Sequence, residues 1–282
     1  MKILLIGAQG MLGRDLQPIL SDRHEVIARD VNDLDITDPV QTEKEIHLLR
    51  PELVINAAAF TDVDGCESQR ERAFSVNAEG AGHVARSCRS AGARLIQLST
   101  DYVFDGTSPV PYTEESFPHP LNVYGESKLQ GEQLILETGG NHLILRTAWL
   151  YGKHGKNFVD TILRLASQQE ELRVVDDQQG SPTFTRDLSR AIAQLLDKDV
   201  QGILHVTNSG SCSWFEFAKE ILETKPIPGR KIRLVPISSR ELVRPARRPS
   251  NSLLDCSRFQ KLTGGKMRPW DEALRDYLSG VS

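Results

Sequence analysis

Cysteine is scarce in this sequence: Cys66, Cys88, Cys212 and Cys256 are scattered along 282 residues without a Cys-x-x-Cys pair. That argues against a disulfide framework. With no His-Glu-x-x-His among the seven histidines, it also argues against the common zinc spacings. A reducing cytoplasm and no metal site are the expectation. Long apolar runs are missing too. The opening run, MKILLIG, meets glycine at position 7, too soon for a signal-peptide core or a spanning helix, so neither export nor a membrane is expected. Positive charge is not in excess: 34 Lys and Arg against 38 Asp and Glu leave −4, whereas general nucleic-acid binding needs a basic face to neutralise phosphates. The one local exception is RPARRP at 244–249. Internal repeats and low-complexity linkers are absent. What remains is a chain 39% hydrophobic, enough to bury the core of one large domain or two interlocked ones.

Short apolar runs alternate with amphipathic stretches. KILLIG, EVIA, ELVINAAA, RLIQLST and HLILRTAWLYG read as strands, with helices at about 11–20, 39–49, 70–90 and 123–137 between them. Such alternation implies βαβ crossovers and a parallel sheet covered on both faces. Beyond 150 the pattern loosens into helices near 156–168, 185–197, 213–223 and 269–279 and short strands at LRVV, ILHV and IRLVPI. The expected fold class is α/β: a Rossmann-like doubly wound parallel sheet over 1–148 as dinucleotide-binding domain, and a smaller, partly interleaved α/β substrate domain over 149–282.

GAQGMLG follows the first strand directly and places Gly7, Gly10 and Gly13 before a helix. Glycines there permit a tight turn, backbone approach to a pyrophosphate and close helix-to-sheet packing, with Met11 and Leu12 opening the helix beside the phosphates. Asp30 closes the second strand about twenty residues on, where a carboxylate accepts from an adenosine ribose. The adjacent Arg29 could instead face a 2′-phosphate, so NADH and NADPH both stay open. Asp35, followed by Ile36, is either a helix-start carboxylate or a member of the adenine pocket. Ala58 and Ala59, in NAAAF, end the next strand with small residues where a cofactor would cross the sheet edge.

QLSTDYVFDG sets Ser99 and Thr100 at the carboxyl end of a further strand, the edge at which open α/β folds bind ligands. NVYGESKLQGE then puts Tyr124 and Lys128 one turn apart on one helical face. Tyr-x-x-x-Lys alone occurs by chance on many solvated helices. A phenol beside an ammonium, following a strand-end hydroxyl and a dinucleotide loop, has the ordered parts of a carbonyl reductase: cofactor cradle, substrate-orienting hydroxyl and proton donor.

In that order the parts resemble the extended short-chain dehydrogenase/reductase family, and within it the dTDP-4-dehydrorhamnose reductases, through STDYVFDG, YGESKLQGE, LRTAWLYG and RRPSNSLLD. The resemblance spans nearly the whole chain. Its first two motifs are shared with related sugar-nucleotide enzymes, while the last two narrow it to the reductases. It implies NAD(P)H-dependent reduction of a 4-keto sugar nucleotide. Tyr124 would give the proton, Lys128 would lower the tyrosine pKa and hold the nicotinamide ribose, and Thr100 would orient the carbonyl. Asp101 would touch the sugar or cap the strand end. Asn77, in AFSVNAEG, matches an asparagine often seen in such proteins, and an ordinary structural hydrogen bond explains it equally well. Trp149 would wall the deoxysugar, Asn157 and Phe158 would belong to a lid or to substrate-domain packing, and Arg248 of the basic cluster would hold the diphosphate. Some relatives form dimers bridged by magnesium. Asp15 could supply a ligand, but Arg186 stands in SPTFTRDLSR where a second acid would be expected, so any homodimer should not be metal-bridged. Two rivals stay open: another sugar-nucleotide reductase or epimerase of this fold, and a non-catalytic regulatory subunit that binds dinucleotide. Loss of Tyr124 or Lys128 would mark the latter, and both are present.

Overall fold

A computed structural model describes residues 1–280. Six strands form one wholly parallel sheet in the order Gly202–His205, His142–Thr147, Arg94–Thr100, Leu53–Asn56, Lys2–Ile6 and Glu25–Arg29. From Lys2–Ile6 the chain steps outward to Glu25–Arg29, then crosses back to Leu53–Asn56 on the other side. Strand order therefore reverses between Lys2–Ile6 and Leu53–Asn56, and the crevice at their carboxyl ends is where open α/β sheets take ligands.

Near-continuous apolar strands produce this layering. Side chains alternate across a sheet, so Ile3 and Leu5 enter one core with Leu12, Leu16 and Leu188, while Leu4 and Ile6 enter the other with Ile46, Val54 and Val84. Each such fully buried Leu or Ile contributes about 1.5–3 kcal/mol over its exposed state. Capping fixes where the crossover helices start. Asp38 accepts from the N–H groups of Val40 and Gln41 ahead of helix Pro39–Leu49, and Asn122 accepts from the Gly125 N–H at 2.8 Å ahead of helix Val123–Thr138.

The chain beyond residue 150 is shared between two cores. Gly202–His205, the ILHV segment, pairs with His142–Thr147 as the edge strand of the large sheet. Helix Thr185–Leu195 packs on helix Met11–Ser21 and sends Leu188, Ile192 and Leu195 into the sheet core. A second core gathers Tyr151, Phe184, Phe217 and Tyr277 under helices Phe158–Gln168, Trp214–Thr224 and Trp270–Ser279. Beside it Glu171–Val175 and Arg233–Ile237 form a parallel pair.

Several features depart from expectation, among them a short helix Val63–Ser68 ahead of the expected one. The single helix expected over about 70–90 is Arg70–Phe74, a wide π-helical turn Ser75–Gly80, and Ala81–Ala91. Within that turn Asn77 accepts from the Phe60 N–H at 2.8 Å and donates to the Phe60 carbonyl and to Ser127 Oγ, both at 3.0 Å. These bonds tie the turn to helix Val123–Thr138, which favours widening over regular continuation. Helix Ser257–Thr263 was not expected; it starts without a side-chain cap. Among the described residues no helix is long and apolar enough to cross a membrane.

Candidate active site

The glycine loop closes the switch-point crevice from one side. Gly7 is left-handed, φ 77°, and a β-carbon there would stand 2.6 Å from the Ala58 nitrogen. Gly13 packs the helix onto the loop, since its β-carbon would come within 2.7 Å of Ala8 Cα. Gly10 caps the helix with no side-chain bond, which leaves the first-turn N–H groups of Met11, Leu12 and Gly13 facing outward at the positive helix end. Such a helix end can hold a pyrophosphate. Leu12 buries its side chain in the sheet core, and Met11 lies against Gly152 and Gly155.

The loop is tied to the second strand. Gly7 and Ala8 donate to the Arg29 carbonyl at 2.9 and 3.1 Å, and Asp30 Oδ2 accepts from the Gln9 N–H at 2.8 Å. Asp30 is half-buried at the crevice edge. The Arg29 guanidinium turns away, held by Glu45 at 2.7 Å. Asp35 does not start a helix, because Asp38 takes that role; Asp35 Oδ1 accepts instead from the Thr37 N–H and hydroxyl at 2.9 and 2.8 Å. Ile36 buries its side chain beside Gly80. Ala58 and Ala59 are half-buried, with the Ala58 N–H donating to Asn56 Oδ1 at 3.1 Å.

Tyr124 and Lys128 share the helix face that meets the end of strand Arg94–Thr100. Lys128 is 4% exposed, and its ammonium donates to the Leu98 carbonyl at 2.6 Å. Burial pushes that ammonium down to about 8, and Glu132 opposes the fall. Tyr124 meets Tyr102 edge-on, ring centroids 5.8 Å apart, and packs beside Cys66, Ala73 and Val123. Burial pushes its phenol above the usual range, while a hydrogen bond with Thr100 pulls it back. The expected lowering by Lys128 does not appear: the groups acting on the phenol besides burial and Thr100 are Asp101, Tyr102 and Cys66, all of which raise it, and the ammonium is turned to Leu98.

Thr100 donates to Asp101 Oδ1 at 3.0 Å and accepts from the Tyr102 N–H at 3.2 Å, so Thr100 caps the short turn Asp101–Val103. Asp101 is therefore not the strand-end cap. It is 2% exposed, and burial pushes its carboxyl up to about 6 against hydrogen bonds from Ser252 and Thr100.

Farther out, Trp149 is left-handed, φ 47°, and lies flat on Trp214. Asn157 caps helix Phe158–Gln168 by accepting from the Asp160 N–H at 3.0 Å, and Phe158 leans on Trp214 at 4.6 Å, so both serve packing. Arg248, expected to be free for a diphosphate, grips Asp64 through two bonds of 2.9 Å and is 12% exposed. Asp15 accepts from the Thr185 hydroxyl and lies 3.9 Å from His154, while Arg186 is exposed. Sequence reasoning missed Glu132, Arg146, Asp64 and Trp214. Glu132 carried a signal, at four residues beyond Lys128 inside one quoted motif, and Arg146 stands inside another, LRTAWLYG; Asp64 and Trp214 are distant in sequence from what they support.

The chain matches the family model described as RmlD substrate binding domain over residues 1–282. It is similar to the crystal structure of a dTDP-4-dehydrorhamnose reductase from Clostridium acetobutylicum, with 42% identity, a TM-score of 0.95, and coverage of 100% of this chain and 99% of the other. A dTDP-4-dehydrorhamnose reductase from Bacillus anthracis, solved in complex with NADP, shares 40% identity at a TM-score of 0.94, covering 99% of this chain and 98% of that one. The spore coat polysaccharide biosynthesis protein SpsK of Bacillus subtilis is 40% identical over 98% of this chain and 96% of its own length.

Proposed function

Because the chain belongs to the RmlD substrate binding domain family, we propose that it is an NAD(P)H-dependent oxidoreductase, a dTDP-4-dehydrorhamnose reductase. It reduces the 4-keto group of dTDP-4-dehydro-β-L-rhamnose to give dTDP-L-rhamnose, the last step of dTDP-rhamnose synthesis. Full-length similarity to reductases of that name supports the substrate. One observation carries the chemistry: Tyr124, Lys128 and Thr100 converge at the carboxyl edge of the sheet, beside the crevice that Gly7 and Ala58 line.

The dinucleotide fits the residues present. Gly7 and Gly13 let the loop pack on Ala58 and Ala8 more closely than a β-carbon would allow, the helix N-terminus faces the pyrophosphate position, and Asp30, Asp35 and the backbone at Ile36, Ala58 and Ala59 border the remainder. When bound, NAD(P)H supplies the hydride. Tyr124 gives the proton to the incipient alkoxide, and its raised pKa keeps the phenol protonated until then. Thr100 orients the carbonyl oxygen, and Lys128 contributes the ammonium that stabilises the phenolate left behind and holds the nicotinamide ribose.

In this reading Trp149 and Asp101 would border the sugar, and Arg248, which is held by Asp64 beside Tyr102, would meet the diphosphate. Four free thiols suit a reducing cytoplasm. A homodimer, where formed, is held without bridging metal. The test is NAD(P)H consumption on adding freshly made dTDP-4-dehydro-L-rhamnose: oxidation of one cofactor per keto sugar is expected, and no oxidation would remove the assignment.

A further inference from the structure

Glu132 stands one helical turn beyond Lys128 and is 2% exposed, as is its partner Arg146. Both carboxylate oxygens are occupied. Oε1 accepts from Arg146 Nε at 2.9 Å and, in a short bond, from the Ser99 hydroxyl; Oε2 accepts from Arg146 Nη2 at 2.6 Å. Arg146 also lies over the Phe104 ring at 5.1 Å. A buried ion pair is a poor stabiliser in itself, because desolvation offsets the attraction and apolar replacements are often neutral or better. Its location gives a different reason for it.

Lys128 holds the carbonyl of Leu98, and Glu132 holds the hydroxyl of the next residue, Ser99. Two successive strand residues are thus gripped from one helix face, directly before Thr100. The titratable and charged groups around Lys128 are Tyr124 and Glu132 on its own helix, Asp101 past the strand end and Arg146 on the next strand. Of these, Glu132 is the one that favours its ammonium form. We propose that Glu132 is a positioning residue for the reduction: it is the fixed counter-charge that keeps Lys128 an ammonium ion, and its grip on Ser99 and Arg146 holds Thr100 beside the Tyr124 phenol. This rests on the roles given above to Tyr124, Lys128 and Thr100.

The test compares wild type with Glu132→Gln and with the double variant Glu132→Leu/Arg146→Met, measuring the NADPH dissociation constant against pH without substrate. In wild type, affinity falls as pH rises through the Lys128 transition, since the ammonium is lost. Glu132→Gln keeps the hydrogen-bonding shape and removes the charge, so the midpoint should move about 1 pH unit lower. The double variant removes both charges within an apolar volume of like size, the replacement that buried pairs tolerate. It should fold and show the same direction of shift. Folded variants with the wild-type midpoint would overturn the proposal. So would failure of both variants to fold, which would make the pair a requirement of folding and not a charge for Lys128. Cofactor binding needs no keto sugar, so a shifted midpoint in a protein inactive on the keto sugar would count against the substrate assignment and leave Glu132 standing.

Discussion

The indole of Trp149 lies flat on that of Trp214, ring centroids 3.4 Å apart and planes 4° from parallel. Gly180 lies against the same indole, where a β-carbon would stand 2.5 Å from the Trp149 Nε1 and Cζ2 atoms. Trp149 is thereby held in a left-handed backbone, φ 47°, a conformation costing of order 1–3 kcal/mol that persists only where the surroundings impose it.

From this follows a specificity test. Trp149→Ala should erode the preference for a 6-deoxy sugar over its 6-hydroxyl analogue, a preference worth about 10- to 200-fold for one apolar contact. Trp214→Ala should raise KM for the sugar nucleotide with a smaller change in kcat, because it loosens the wall without touching Tyr124. Unchanged discrimination in both variants would remove Trp149 from the sugar pocket.

Tyr124→Phe keeps the ring packing against Tyr102 and removes the transferable proton. It should retain cofactor affinity and lower kcat by at least about a hundredfold, the scale of a lost general acid. Near-normal turnover would dismiss the tyrosine as proton donor.

Cofactor choice should respond to Asp30. Its half-buried carboxylate, fixed by the Gln9 N–H, repels a 2′-phosphate, so Asp30→Ala should raise the NADPH-to-NADH ratio of kcat/KM. An interaction of about 1 kcal/mol corresponds to roughly fivefold. An unaltered ratio would place Asp30 outside the ribose pocket.

Asp64 supplies a pH signature. Its hydrogen bond from Arg248 holds the carboxyl below the usual carboxylate range. A depressed folded-state pKa means stability that is present above the unfolded value and lost as pH falls through the folded one. Wild type should therefore exceed Asp64→Asn in stability at neutral pH, by no more than about 1 kcal/mol because the Asp64 side chain is 36% exposed. The gap should close as the solution is acidified below about pH 4, and thermal melts across that range measure it. A gap independent of pH would assign the effect to packing.

The sheet, the glycine loop and the Tyr124 helix were legible in the sequence because each has a local cause: apolar strands bounded by glycine, Asn122 as a cap, Tyr124 and Lys128 at helical spacing. The π-helical turn was not, since it depends on Asn77 reaching Phe60 and Ser127. Arg248 was recognisable as a basic residue in a loop but not as the partner of Asp64, which lies 184 positions away. Glu132 was visible as a letter in the motif, yet its meaning came from Ser99 and Arg146, which only the packed sheet brings to it. Asp35 reads from the sequence either as a helix-start carboxylate or as a member of the adenine pocket; the cap went to Asp38, directly preceding Pro39, whose fixed φ favours the first helical position.

The central claim is that hydride and proton are added across the 4-keto group at the site formed by Thr100, Tyr124 and Lys128. Its most direct measurement follows deuterium from deuteride-labelled NAD(P)H into the product by NMR. The expected result is dTDP-L-rhamnose carrying deuterium at C4 of the sugar, formed by wild type and slowed in Tyr124→Phe without a change in the labelled position. Deuterium at another carbon, a different C4 configuration, or a product without label would contradict the account.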